Sequence, residues 1–186
     1  MDQRALVERA QHGDHDAFAE LARMHVSKLD SAARLVLRDP ELARDAVQEG
    51  FIRAWRSLPS LRDPEAFDGW LRTLVTRACL DVVRRRGRRP IEVELTPADA
   101  PAIGDASVVV ADRELLDLIL RRLPPDHRAV VVLHYYFDLT LPDVAVAIGV
   151  PVGTAKSRLN RALGQLRTHL AEAEDDLAPL PGGQLA

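Results

Sequence analysis

The sequence predicts an all-α fold, with two small helical domains joined by a flexible acidic linker and a helix-turn-helix in the second domain. Three observations carry this expectation. Apolar residues recur at threes and fours over most of the chain. A stretch rich in proline, alanine and acids interrupts that pattern between residues 91 and 111. The segment Leu139 to Leu166 then resolves into two short helical patterns separated by a glycine. With 186 residues, 47% of them hydrophobic, the chain can bury a core in one domain or in two.

Taken in order, Phe18, Leu21, Ala22, Val26, Leu29, Ala33 and Val36 predict a first long helix. Two further helices announce their starts with the same phrase, Arg38-Asp39-Pro40-Glu41 and Arg62-Asp63-Pro64-Glu65. In each, the aspartate can cap, the proline suits the first helical position, and the glutamate lies in the first turn, where the helix dipole favours an acid. This is repeated capping chemistry, not a structural repeat. After the second phrase, Phe67, Trp70, Leu71, Leu74, Val75, Ala78 and Val82 form an apolar stripe that runs to about Arg86, where Gly87 and Pro90 end the helix. An N-terminal domain over residues 1–90 is expected.

The linker spans 91–111. Within it Ile91 to Leu95 alternates apolar and acidic residues, but a strand without a partner is unstable, so an extended segment is expected. Helices resume with Leu115, Leu116, Leu118, Ile119 and Leu123, and Pro124-Pro125-Asp126 starts another through Tyr136. Thr140 then caps a helix in a box-like arrangement with Asp143, with Val144, Ala145 and Ile148 on one face. Gly149 lets the chain leave that helix, Val150 and Pro151 turn it, and a second helix begins near Val152. Between Val152 and Thr168 its ionisable side chains are Lys156, Arg158, Arg161 and Arg167, all cationic. A C-terminal domain over 112–175 and a disordered tail over 176–186 complete the expected organisation.

Charge narrows the function. Net charge is −3 and the isoelectric point about 6.1, so any nucleic-acid contact must come from local patches. Such patches are present: Arg77 to Arg89 holds six arginines against Asp81, whereas Glu92 to Asp117 holds seven acids against Arg113. The acid-free second helix, with Gly153 and Thr154 small enough to let its start approach a phosphate, reads as a DNA-contacting device. Cys79, the single cysteine, excludes an intrachain disulfide and reads as a small buried hydrophobe. The sequence contains no apolar run long enough to span a bilayer, and its start lacks the order of a signal peptide, so membrane insertion is not expected and the cytoplasm is. Six histidines fall in no metal-binding or catalytic spacing, so no enzyme, catalytic residue, metal site or cofactor is expected.

Two motifs, in order and separated by the linker, carry a resemblance that covers nearly the whole chain. RDPELARDAVQEGFIRAW, Arg38 to Trp55, together with FDGWLRTLVTRACLDVVRRRGRR, Phe67 to Arg89, resembles the N-terminal domain of group IV, or extracytoplasmic-function, sigma factors of the sigma-70 family. LPPDHRAVVVLHYYFDLTLPDVAVAIGVPVGTAKSRLNRAL, Leu123 to Leu163, resembles their C-terminal domain. These are the smallest promoter-specificity subunits of bacterial RNA polymerase. The resemblance implies core RNA polymerase, through its largest-subunit clamp helices and its flap, and promoter DNA as partners. It also implies an anti-sigma factor able to cover both DNA-binding domains.

Residue by residue, Asp45, Gln48 and Glu49 project from one side of a helix whose other side holds Ala43, Ala46, Val47 and Ala54. By resemblance this acidic strip, with Ile52 and Arg53, docks on the clamp helices. The resemblance also gives the segment Ser57 to Asp63, including Leu61 and Arg62, the task of holding a base flipped from the minus-ten element. Trp70, Arg72, Arg77, Arg84 and Arg85 would grip the melted strand, guanidinium and aromatic groups being suited to backbone charge and exposed bases. Arg77 stands where many relatives have asparagine. In the C-terminal domain, Lys156, Ser157, Asn160 and Arg161 are the implied base-edge readers of the minus thirty-five element, with Thr154 and Arg158 on phosphates. The acids Glu92, Glu94, Asp99 and Asp105 would lie in a basic polymerase channel. The competing reading is a helix-turn-helix regulator that acts without core polymerase and binds a palindrome unaided.

Overall fold

The computed structural model describes residues 2–87, 120 and 122–177, and among these it is helical with no strand, as the periodicity predicts. The order is α1 (Gln3–Gln11), α2 (His15–Leu37), α3 (Pro40–Ser57), single 3-10 turns at Leu58–Ser60 and Pro64–Ala66, and α4 (Phe67–Gly87). Then come α5 (Pro125–Val131), one π turn (Val132–Tyr136), α6 (Leu141–Ile148) and α7 (Val152–Leu177). The expected extended segment Ile91 to Leu95, the helix through Leu115 to Ile119 and the linker acids Glu92, Glu94, Asp99 and Asp105 lie outside the described residues. The tail expected from 176 begins inside α7, whose last residues are Asp176 and Leu177.

Capping chemistry starts two of the helices as the sequence predicts. The Asp39 carboxylate accepts from the Leu42 amide at 3.0 Å, with Pro40 in the first turn. Thr140 Oγ1 accepts from the Asp143 amide at 3.4 Å and donates to the Asp143 carboxylate at 2.5 Å. The second aspartate-proline phrase behaves differently. Asp63 caps only the 3-10 turn Pro64–Ala66, accepting from Glu65 N at 3.0 Å, and α4 starts at Phe67. Phe67 is fully buried, and that anchor sets the helix start. The sequence reading did not anticipate α1; its buried face is Leu6, Val7 and Ala10, packed on α2.

In the N-terminal half α1 packs on α2, α2 on α3, and α3 on α4. Phe67, Leu6, Leu21, Leu58, Leu71 and Val7 are its most completely buried side chains. Burying each such leucine or valine contributes roughly 1.5–3 kcal/mol by area transfer. Cys79 is 2% exposed, a small buried hydrophobe, and burial pushes its thiol up to about 12.

In the C-terminal half α5 and α6 pack on α7, with Val130, Leu133 and Val144 at the centre. The halves also touch. Helix α4 packs on α6, and α2 packs on α5 and the π turn. Leu29, Ala32, Ala33, Val36, Val75 and Cys79 face Val132, Leu133 and Phe137 across a small apolar cavity.

Candidate nucleic-acid interface

The C-terminal site follows from how α6 ends. Gly149 sits at φ 71°, in the left-handed region, and its amide donates to the Ala145 carbonyl, closing the helix without a Cβ penalty. Val150 N also donates to Ala145 O, at 3.0 Å. Pro151 O then accepts from Thr154 N and Ala155 N at 2.9 and 3.1 Å, so α7 starts immediately after the turn.

Ala155, Leu159 and Ala162 bury one face of α7 against α5 and α6. The opposite face presents Lys156, Ser157, Asn160 and Arg161, all exposed, at the i, i+1, i+4 and i+5 positions of one surface. The first turn carries no acid. Thr154 is half-buried, and the Ser157 hydroxyl donates to its carbonyl at 2.9 Å. Arg158 is also half-buried, and its guanidinium pairs with Asp126 of α5 at 3.0 Å. It is therefore held in place beside the exposed face of Lys156, Ser157, Asn160 and Arg161.

The N-terminal site is built on α3, α4 and the segment between them. Asp45 and Gln48 are exposed on α3, and Ile52 is 37% exposed. Glu49 pairs with Arg53 at 2.8 Å, and Arg53 also reaches Asp81 of α4 at 3.0 Å, which holds its pKa above the ordinary arginine value. Arg84 shares Asp81 at 3.4 Å, and Arg85 Nε donates to the Asp81 carbonyl at 3.3 Å; both arginines are exposed. Surface pairs of this kind contribute only about 0–1 kcal/mol, so they order the arginines without cancelling their charge.

The Ser57–Asp63 segment is held by a turn of its own and by two neighbouring helices. Ser57 Oγ donates to Arg53 O at 2.6 Å, and Leu61 N donates to Leu58 O at 3.0 Å. The side-chain amide of Gln11, at the end of α1, donates to Leu58 O at 3.2 Å and Leu61 O at 2.7 Å. Arg62 is exposed, Leu61 is half-buried, and Trp70 is half-buried with its ring 6.0 Å from Phe67. The sequence reading missed Gln11, whose role depends on α1 packing beside a segment far away in sequence.

Arg72 and Arg77 take a different course. Arg72 pairs with Asp68 at 3.5 Å and lies 5.3 Å from the centre of the Phe137 ring, which Lys28 approaches at 5.7 Å. Arg77 donates to Val146 O at 3.0 Å and Ala147 O at 3.4 Å, carbonyls in the last turn of α6. The eight expected minus-ten residues are therefore not gathered on one open surface. Ser57 ends α3, Leu61 and Arg62 lie between α3 and α4, Trp70 is in the first turn of α4, Arg84 and Arg85 are at its end, and Arg72 and Arg77 lie against the other half.

A helix-turn-helix whose last helix opens without an acid and exposes Lys156, Asn160 and Arg161, beside a helical domain that bears Asp45 and a row of arginines, has the make-up of a DNA-binding transcription factor. Comparison with known proteins narrows the class. The description "Sigma-70 region 2" matches residues 21–89, and "Sigma-70, region 4" matches residues 113–166. The chain is 32% identical to the RNA polymerase sigma-E factor of Streptomyces avermitilis over 169 residues, 91% of this chain and 93% of that one. It is 35% identical to the ECF RNA polymerase sigma factor SigE of Mycolicibacterium smegmatis over 86% of this chain, and spans 63% of that longer relative.

Among solved structures, CnrH in complex with the cytosolic domain of CnrY has the same fold, with a TM-score of 0.64 and 24% identity over 91% of this chain and 97% of that one. Sigma factor RpoE in complex with the anti-sigma factor NepR from Bartonella quintana aligns at TM-score 0.62, 23% identity, 83% of this chain and 96% of that one. The chain belongs to the extracytoplasmic-function sigma factors of the sigma-70 family. It is accordingly an RNA polymerase sigma factor, a subunit that joins core polymerase to promoter DNA and promotes initiation. The family works without catalysis of its own. Among the described residues no helix is long and apolar enough to cross a membrane.

Proposed function

We propose that this sigma factor reads the minus thirty-five element with the exposed face of α7 and grips the melted minus-ten strand with α4 and the segment before it. The observation that carries the reading is the face of Lys156, Ser157, Asn160 and Arg161, exposed together with no acid in the first turn of the helix. Lysine or arginine suits guanine edges and asparagine suits adenine in the major groove, where a bidentate pair discriminates by about 1–3 kcal/mol. Thr154 and the braced Arg158 would hold phosphates and fix the register.

In the N-terminal half, Ser57, Leu61 and Arg62 would border the flipped base, with Trp70, Arg72, Arg77, Arg84 and Arg85 along the displaced strand. Asp45, Gln48 and Glu49, with Ile52 and Arg53, would dock on the basic clamp helices of the largest polymerase subunit, and the C-terminal domain on the flap. The chain acts in the cytoplasm as a non-enzymatic factor, and an anti-sigma factor covering both domains is its expected regulator; the similar RpoE is seen in complex with the anti-sigma factor NepR.

The test is reconstitution with purified core polymerase. Asp45→Lys should weaken assembly of the holoenzyme by about tenfold or more, since it sets like charges against each other across the docking surface. Unchanged assembly would remove the docking role of this strip. A regulator acting without core polymerase is the second reading, and the match of residues 21–89 to sigma-70 region 2 disfavours it.

A further inference from the structure

We infer that Gln11 is a positioning residue for the flipped minus-ten base, setting base preference through the backbone of the segment that borders it. The inference rests on the proposed assignment of Ser57–Asp63 to that base. Gln11 ends α1 and lies outside residues 21–89, the span that matches sigma-70 region 2. Both N–H groups of its side-chain amide are spent on backbone, one on Leu58 O at 3.2 Å and one on Leu61 O at 2.7 Å. Leu58 is fully buried, and its carbonyl also accepts from Leu61 N at 3.0 Å, which closes the turn. Leu61 O belongs to the peptide that leads into Arg62. On the far side of Arg62, Asp63 is fixed as a cap, accepting from Glu65 N at 3.0 Å. The exposed Arg62 therefore hangs between two anchored points, and Gln11 supplies one of them.

The brace is itself held firmly. Helix α1 buries Leu6, Val7 and Ala10 against α2, and Arg9 pairs with Asp14 at 2.6 Å. Asp14 in turn caps α2 by accepting from Ala17 N at 3.0 Å, so the chain on either side of Gln11 is locked. A loop ordered before its ligand arrives loses less freedom on binding than one ordered by it. Discrimination also needs groups held within about 0.5 Å of their productive geometry. Without the amide, Leu61 O turns to water and the peptide between Leu61 and Arg62 gains freedom. Base choice at this border is then lost while the buried core of the N-terminal half stays intact.

The experiment uses holoenzyme assembled from core polymerase and the full chain, transcribing a promoter library randomised in both elements, with base preference read position by position. Gln11→Glu keeps the length of the side chain and removes its donors, whereas Gln11→Lys keeps donors. Gln11→Glu should lower preference at one minus-ten position by about fivefold, the worth of one lost hydrogen bond. That position should be the one that Arg62→Ala alters, every other position should be unchanged, and Gln11→Lys should retain most of the preference. A loss spread evenly over all positions, or one that Gln11→Lys does not lessen, would overturn the inference and leave Gln11 a structural prop. So would unchanged preference in Gln11→Glu while Arg62→Ala alters a minus-ten position. If neither substitution changes any minus-ten position, the assignment of Ser57–Asp63 fails, and the inference with it.

Discussion

Gly50 of α3 lies directly against Val75 of α4: a Cβ built on the glycine would come within 2.5 Å of Val75 Cγ2 and 3.0 Å of its Cα. The absence of a side chain at this crossing lets α3 and the arginine-bearing α4 pack backbone to backbone. Alanine would gain up to about 1 kcal/mol in helix propensity, but overpacking typically costs about 1–3 kcal/mol. The backbone contact cannot rotate away, so overpacking wins. Gly50→Ala should lower the urea midpoint with an unchanged slope, and a neutral or raised midpoint would show that α3 and α4 separate freely.

Asp39 ties the start of α3 to the end of α4. It accepts from Leu42 N at 3.0 Å and from Arg86 at 2.9 Å. Burial alone would raise its pKa; the amide and the guanidinium outweigh burial and hold it below the ordinary carboxylate value. Because the folded value is depressed, its contribution is fully present above the unfolded value near 4 and is lost as pH falls through the folded one. Asp39→Asn should therefore cost stability at neutral pH, by about 1 kcal/mol, and the gap to wild type should close on acidification below about pH 4. A gap that persists at low pH would mean the carboxylate charge is not what matters.

Gln11 holds two carbonyls of the segment that precedes α4. Gln11→Ala should speed hydrogen exchange at Leu61, whose amide closes the turn onto Leu58 O, while exchange in the centre of α3 stays slow. Each lost bond costs on the order of 1 kcal/mol. Equal protection in the variant would show that the turn holds itself.

Arg158 and Arg161 should fail in different ways. Arg161→Ala removes the exposed guanidinium proposed to read a base edge and should relax preference at one base pair by about 1–3 kcal/mol. Arg158→Ala removes a guanidinium braced by Asp126 and should weaken all sequences alike, lowering the salt dependence by about one counterion. Both are read by competition binding of the holoenzyme to mismatched minus thirty-five duplexes, and identical profiles would merge the two roles.

Much of the architecture could be read from the sequence because its signals are local. The Asp39 and Thr140 caps, the left-handed Gly149 and the buried face of Ala155, Leu159 and Ala162 each follow from residues a few positions apart. Helix α1 escaped notice because nine residues with Leu6, Val7 and Ala10 inward make a faint periodic signal, and tertiary packing supplies the rest. The π turn over Val132–Tyr136 has no local signature; it hands the chain to Phe137 and to Asp138, which sits at φ 54°. Least visible was the fate of Arg72 and Arg77. Their positions on α4 were legible, but contacts to Phe137 and Val146 depend on how two domains distant in sequence meet.

The central claim is that α7 and α4 read two separate promoter elements on behalf of polymerase, and transcription by purified core enzyme from a randomised promoter library tests it most directly. The account predicts transcripts only when this chain is added, from templates enriched in two elements at a fixed spacing, with Arg161→Ala erasing preference in the upstream element alone. Enrichment of a single palindrome, or transcripts independent of the added chain, would contradict it.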